Sequence, residues 1–172
     1  MEIKRAEAFD AHAISNIHAL SWKAAYKGIV PQQYLDELKN DFWANAFEDW
    51  ISNDKIAVQI MYDNDLPIGC IAYGKSRDTT LPDWGEIVSM YFLPDFMGKG
   101  YGKDLINLAL SEMKKQCVRD VYVWVLDDNQ PARRFYEKSG FHCNDDTYPL
   151  EILGKALIDV RYVIHLGESY KP

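Results

Sequence analysis

The sequence predicts one mixed α/β domain built around a single central sheet, on three observations. The chain has 172 residues, which is enough for one well-buried domain and short for two. Apolar residues recur at helical spacing ahead of Ile56, and from Ile56 onward the period changes to two. Strands and helices then alternate, the order that places helices against one sheet.

The N-terminal part is predicted to contain one strand and three helices. Asp10 is a suitable N-cap for the first helix, Gly28 ends it, and Pro31 suits the first turn of the second helix. The aromatic-rich stretch from Phe42 to Trp50 is either a core helix or an interface. The predicted elements are a strand at Glu2 to Ala6, helices at Ala11 to Ala25 and Pro31 to about Leu38, and a third helix through Ile51.

The rest of the chain is predicted to alternate between strands and two helices. Val121 to Leu126 is a nearly continuous apolar run, which is typical of a strand covered on both faces. The predicted strands are Ile56 to Tyr62, Ile68 to Gly74, Glu86 to Phe92, Val121 to Leu126, Phe141 to about Asn144, and Ile158 to His165. The predicted helices are about Gly102 to Gln116 and Gln130 to Ser139.

Composition excludes several classes of function. The net charge of −7 argues against broad nucleic-acid binding, which relies on a basic surface. No apolar run is long enough for a membrane helix, and the N-terminus lacks the apolar core of a signal peptide, so we expect a cytoplasmic protein with no membrane partner. The three cysteines have no metal-ligand spacing and predict buried thiols rather than a metal site.

The most informative segment is a glycine-rich turn that follows an apolar strand and opens a helix. Gly98, Gly100 and Gly102 remove side chains where backbone N–H groups converge at a helix N-terminus, which suits a phosphate or pyrophosphate. Asp104 follows Gly102-Lys103 where a P-loop needs Ser or Thr, and Lys103 stands where a dinucleotide fingerprint needs its third glycine. A nucleotide-binding protein is therefore a distant alternative.

Two blocks of the sequence stand out by the spacing of their residues. The first is Met97-Gly98-Lys99-Gly100-Tyr101-Gly102 after Phe92-Leu93-Pro94, and the second runs from Asn129 to Phe141. They closely resemble the [QR]-x-x-G-x-[GA] turn and the N-x-x-A-x-x-F-Y-x-x-x-G-F signature of the acyl-CoA-dependent N-acetyltransferases of the GNAT superfamily. Met97 departs from the usual Gln or Arg, which predicts somewhat weaker cofactor binding because backbone amides make most of the phosphate contacts.

The resemblance implies a GNAT-like fold and acetyl-CoA as acyl donor, with no metal. The sheet would be mixed, mostly antiparallel and twisted, with six to seven strands splayed at the cofactor strand and about four helices. A single N-acetyltransferase domain would span residues 1–172, with substrate-side helices in 1–54, the acyl-CoA core in 55–145 and a C-terminal strand region in 146–172. The implied cofactor-binding residues are Met90, Tyr91, Phe92, Gly98, Lys99, Gly100, Tyr101, Gly102, Lys103 and Asn129.

The resemblance also implies catalytic residues. Tyr136 is the candidate general acid, because a phenol can protonate a departing thiolate at neutral pH. Glu86 is the candidate base, directly or through a water, with His18 a weaker option. A backbone N–H near Phe92 would bind the thioester oxygen. Asn129 can cap its helix, bond the pantetheine arm, or do both.

The acceptor is predicted less sharply than the donor. Trp22 and Tyr26 share a helix face at the expected acceptor corner, and Trp84 is a candidate for the acceptor wall. We expect direct transfer in a ternary complex to a primary amine on a small cationic or amino-acid-like molecule. Three possibilities stay open, namely a protein N-terminal or lysine acetyltransferase, a non-catalytic acyl-CoA sensor and a homodimeric assembly.

Overall fold

The central element is a seven-stranded mixed sheet with strand order β1-β2-β3-β4-β5-β7-β6. The structure is a computed structural model, and it describes residues 1–167. Residues 168–172, the end of the predicted C-terminal region, lie outside the described part. The strands are β1 (Glu2–Arg5), β2 (Ala57–Asp63), β3 (Leu66–Lys75), β4 (Gly85–Phe92), β5 (Asp120–Leu126), β6 (His142–Ile152) and β7 (Lys155–His165).

Five α-helices of the described chain cover the two faces of this sheet, the number that the helical periods of the sequence predicted. They are α1 (Ala11–Ala25), α2 (Gln32–Glu37), α3 (Ala44–Ser52), α4 (Gly102–Lys115) and α5 (Gln130–Lys138). Ile14 and Ile17 of α1 and Phe47 of α3 pack on the β2–β3 face that carries Cys70. Leu105, Leu110 and neighbouring apolar residues of α4 pack on the opposite face, with Tyr136 of α5. Since Phe47 is buried, the aromatic-rich stretch contributes to the core.

The sheet opens between its two parallel strands. β4 and β5 pair only at Gly85 with Val121, Glu86 with Tyr122, and Ile87 with Val123. β4 nevertheless continues to Phe92 and β5 to Leu126, so the two strands separate beyond Ile87. The predicted splay at the cofactor strand is confirmed.

The C-terminal hairpin is much longer than the sequence predicted. β6 and β7 are each 11 residues long, whereas strands were expected only at Phe141 to about Asn144 and Ile158 to His165. The extension was missed because β6 is an edge strand with mostly exposed side chains, so its sequence lacks apolar alternation. Leu150, Ile152 and Leu157 pack against Tyr26, Val30 and Leu35, so the hairpin covers the α1–α2 corner.

No helix within residues 1–167 is both long enough and apolar enough to cross a membrane.

Candidate active site

The glycine turn leads directly into α4, as its sequence predicted. Gly98 has φ 70° and Gly100 has φ 91°, and a Cβ at either position would meet no atom within 4 Å. Positive φ favours glycine, and the open space lets a ligand approach the backbone closely. Gly102 serves a different purpose, because a Cβ there would lie 3.0 Å from the Phe135 ring, so this glycine lets α4 approach α5.

The amides of this turn are free to bind an anion. Within the described part of the chain, the backbone N–H groups of residues 98–102 have no hydrogen-bond partner, while the next two amides bond to Gly100 and Tyr101. They lie at the N-terminus of the 14-residue helix α4. Unpaired amides at a helix N-terminus match the chemistry of a pyrophosphate.

A groove of about 590 Å³ runs from this turn into the gap between β4 and β5. It is lined by eight of the ten predicted cofactor residues, namely Met90, Tyr91, Phe92, Gly98, Gly100, Tyr101, Gly102 and Asn129. Lys99 and Lys103 do not line it, and both are exposed beside the turn, where the Lys99 ammonium lies over the Phe96 ring at 5.1 Å. Met97 also lines the groove and packs against the core.

Tyr136 reaches the groove from α5. It is 6% exposed and contacts the rings of Phe135 and Phe141 edge-on. Burial raises the pKa of its hydroxyl, and the neighbouring Tyr26 raises it further, so the hydroxyl keeps its proton at neutral pH. Asn129, at the start of α5, accepts a hydrogen bond from the Ala132 N–H at 3.3 Å, so its capping role is present.

A second cavity, of about 660 Å³, meets the groove at four shared residues, Tyr26, Val88, Tyr91 and Trp124. The hydroxyls of Tyr26 and Tyr91 lie 3.0 Å apart at this junction. Burial raises the pKa of both tyrosines, so both remain protonated at neutral pH. We call this second space the acceptor cavity.

The walls of the acceptor cavity are largely aromatic. Trp22 lies in α1, Tyr26 is the residue that follows α1, and Trp124 and Tyr148 come from β5 and β6. Trp84 does not line the cavity. Its ring centroid lies 6.5 Å from that of Tyr122, which does line it.

Glu86 lines the acceptor cavity, but its carboxylate already accepts four hydrogen bonds. Arg77 donates three hydrogen bonds to it, from its backbone N–H at 3.0 Å, its Nε at 3.0 Å and its Nη2 at 2.6 Å. The Tyr122 hydroxyl donates a fourth at 2.9 Å. Proton transfer to Glu86 would compete with these contacts, so its role as the base stays a prediction.

His18 lies beneath the groove in a nearly closed setting. Its Nδ1 hydrogen-bonds the Ile14 carbonyl at 2.9 Å and its Nε2 hydrogen-bonds the Ser89 hydroxyl at 2.9 Å. Burial lowers its pKa to about 4, so the ring is neutral at physiological pH. These contacts make His18 part of the support for β4 rather than a group that faces the acceptor.

Sequence reasoning missed several charged residues of the acceptor cavity. Asp159 and Arg161 occupy alternate positions on β7, and Arg77 lies in the loop before β4. The signal available in the sequence was Asp159 and Arg161, two charged residues that lie two positions apart in an otherwise apolar strand. This spacing predicts a polar face on that strand. The long β6–β7 hairpin encloses that face within a cavity, and the sequence did not predict the length of this hairpin.

Known proteins resemble this chain over most of its length. A family model described as the acetyltransferase (GNAT) family matches residues 15–141. A probable N-acetyltransferase of Mycobacterium tuberculosis is 25% identical over 86% of this chain and 83% of its own length. The spermidine N(1)-acetyltransferase of Thermoplasma acidophilum is 25% identical over 84% of this chain and 90% of its own.

A solved structure has the same fold. The paia N-acetyltransferase of Thermoplasma acidophilum in complex with coenzyme A superposes with a TM-score of 0.70 at 23% identity, covering 93% of this chain and 98% of that one.

Proposed function

The chain belongs to the GNAT acetyltransferase family and is an acyl-CoA-dependent N-acyltransferase, and we propose that it acetylates the primary amine of a small cationic or amino-acid-like molecule. The observation that supports this most directly is the meeting of two cavities at the Tyr26–Tyr91 pair. One cavity has the unpaired amides that a pyrophosphate needs. The other has the aromatic and acidic walls that suit an amine.

The residues of the groove fit coenzyme A. The amides of the glycine turn would hold the pyrophosphate, and the β4 edge left unpaired beyond Ile87 would hold the pantetheine arm through backbone hydrogen bonds. Lys99 and Lys103 would add positive charge at the rim. When bound, acetyl-CoA supplies an activated acyl carbon and a thiolate leaving group.

The residues of this chain would contribute positioning, exclusion of water and proton transfer. The buried Tyr26 and the half-buried Tyr91 and Trp124 would limit access of water to the reacting atoms, and the two cavities would bring donor and acceptor together in a ternary complex. We propose that the Tyr136 hydroxyl holds the proton that the departing sulfur needs. The sequence predicts Glu86 as the base, and replacing it with Gln tests that role.

The shape and charge of the acceptor cavity favour a small amine. The spermidine N(1)-acetyltransferase relative, by its name, acts on a polyamine, which supports a cationic acceptor here. A protein N-terminus or lysine is the alternative acceptor. A non-catalytic acyl-CoA sensor is the alternative function.

The decisive experiment measures CoA release with a thiol reagent across a panel of polyamines, amino acids and acetylatable peptides. We expect turnover with at least one small amine and little with peptides. Acetyl-CoA binding by calorimetry without turnover on any amine would favour the sensor, and preferred turnover of peptides would identify a protein acetyltransferase.

A further inference from the structure

One carboxylate of the acceptor cavity has no partner among the residues that the structure describes. Asp159 on β7 lines the cavity, opposite Leu126 of β5 and Tyr148 of β6. Within residues 1–167 its side chain makes no hydrogen bond and no ion pair. An unpaired, partly buried carboxylate is unfavourable unless a ligand uses it.

The other charged groups of this cavity are already paired. Arg77 forms its ion pair with Glu86 at 2.6 Å. Arg161 pairs with Asp78 at 2.8 Å and lies over the Trp124 ring at 4.5 Å. Counting the described part of the chain, the cavity therefore has one uncompensated negative charge, on Asp159.

Asp159 also lies close enough to the junction to act on it. Burial raises the pKa of Tyr26 and the charge of Asp159 raises it further, and the Tyr26 hydroxyl bonds that of Tyr91 where the cavity meets the groove. Trp22 and Tyr148 line the same space and offer ring faces for a cation. A cationic amine bound to Asp159 would therefore lie against the aromatic wall of the cavity and face the groove.

We infer that Asp159, rather than Glu86, binds the ammonium group of the acceptor and accepts a proton from it, an assignment that rests on the proposed function. The ammonium gives one proton to the carboxylate and becomes a neutral amine. The nitrogen lone pair forms a bond to the acyl carbon as the carbon–sulfur bond breaks, and the electron pair of that bond leaves with sulfur. The second nitrogen proton ends on sulfur by way of Tyr136, and the Asp159 proton passes to water.

The protonation behaviour of Asp159 supports this role. Burial raises the pKa of its carboxyl to about 6, so it is mostly ionised at pH 7 yet is a stronger base than an ordinary aspartate. Glu86 is less available, because it already accepts four hydrogen bonds.

The first test compares Asp159→Asn with Glu151→Gln. Glu151 is exposed on the same hairpin, between the cavity-lining Leu150 and Ile152, so its replacement changes the charge equally without changing the cavity wall. Asp159→Asn should lower kcat/KM for the amine by about 10- to 100-fold, because a charge-assisted hydrogen bond is lost. KM for acetyl-CoA should stay within about twofold. Normal kcat/KM in Asp159→Asn, with the loss found instead in Glu86→Gln, would overturn the inference.

The second test measures amine binding without acetyl-CoA. Calorimetry with spermidine and with n-butylammonium should show affinity at least about tenfold weaker for Asp159→Asn than for wild type and Glu151→Gln. Asp159→Glu should recover part of it. If the wild type acetylates no amine, the proposed function fails, and this comparison alone then decides whether Asp159 binds ammonium. Equal binding by Asp159→Asn and wild type would refute the assignment.

The third test is the pH profile of kcat/KM. Wild-type activity should decline below pH about 6, and Asp159→Asn should lack this decline. No histidine among the described residues lines the cavity, and the charged or titratable groups that do are Tyr26, Arg77, Asp78, Glu86, Tyr91, Tyr122, Tyr148 and Arg161. An unchanged acidic decline in Asp159→Asn would assign the titration to another group and overturn the proton-accepting role.

Discussion

Replacing Asp159 with Asn should make the protein more stable at neutral pH. In the folded chain burial raises the pKa of Asp159 from 3.8 to about 6. Each pH unit of difference between folded and unfolded states corresponds to about 1.4 kcal/mol, so the ionised carboxylate costs up to about 3 kcal/mol above pH 6. Because the side chain retains some solvent contact, we discount this to about 1–2 kcal/mol.

The sign of this effect sets its pH window. Between pH about 4 and about 6 the folded state holds more protons on Asp159 than the unfolded state does. The wild-type free energy of unfolding therefore falls by about 1–2 kcal/mol as pH rises through that window. Asn cannot ionise, so the advantage of Asp159→Asn should be absent near pH 4 and complete above pH about 6.

Thermal unfolding at several pH values measures the effect. At pH 7.5, a gain of about 1–2 kcal/mol corresponds to a Tm about 3–6 °C higher for Asp159→Asn. Glu151→Gln, which removes an exposed charge from the same hairpin, should show no comparable gain. An Asp159→Asn protein that is no more stable than wild type at pH 7.5, or whose gain is the same at pH 4, would refute the argument that this carboxylate is buried and unpaired.

Three further predictions concern the groove. Tyr136→Phe should lower kcat with little change in CoA affinity, and equal loss of binding and turnover would show a packing role instead. Gly100→Ala should weaken CoA binding by about tenfold, because a residue with a Cβ is strained at φ 91° and the added methyl group would enter the turn. Its control is Gly154→Ala, which has a similar φ of 79° and should affect stability alone. Gly69→Ala should cost about 1–3 kcal/mol and weaken CoA binding, since its Cβ would lie 2.3 Å from the Phe92 ring. Gly74→Ala, whose closest contact is 3.3 Å, is its matched control, and unchanged CoA affinity in Gly69→Ala would contradict the placement of Phe92.

The cofactor side could be predicted from sequence because its determinants are local. Glycines at Gly98 and Gly100 permit a positive φ that few other residues adopt, and Asn129 caps the helix that begins next to it. Strand and helix periods placed the segments around them, and the two motifs are separated by one helix and one strand. The backbone elements that form the donor groove were therefore predictable from the sequence.

The acceptor side was decided by tertiary structure because its contacts join distant parts of the chain. Arg161 pairs with Asp78 across 83 residues, and no local pattern specifies that choice. The β6–β7 hairpin extends because it pairs with itself and packs on the α1–α2 corner, although the β6 sequence is polar. The sequence by itself predicted a glycine turn and a strand for the acyl donor, while only the folded chain showed that Arg77 hydrogen-bonds Glu86 and that Asp159 has no partner within residues 1–167.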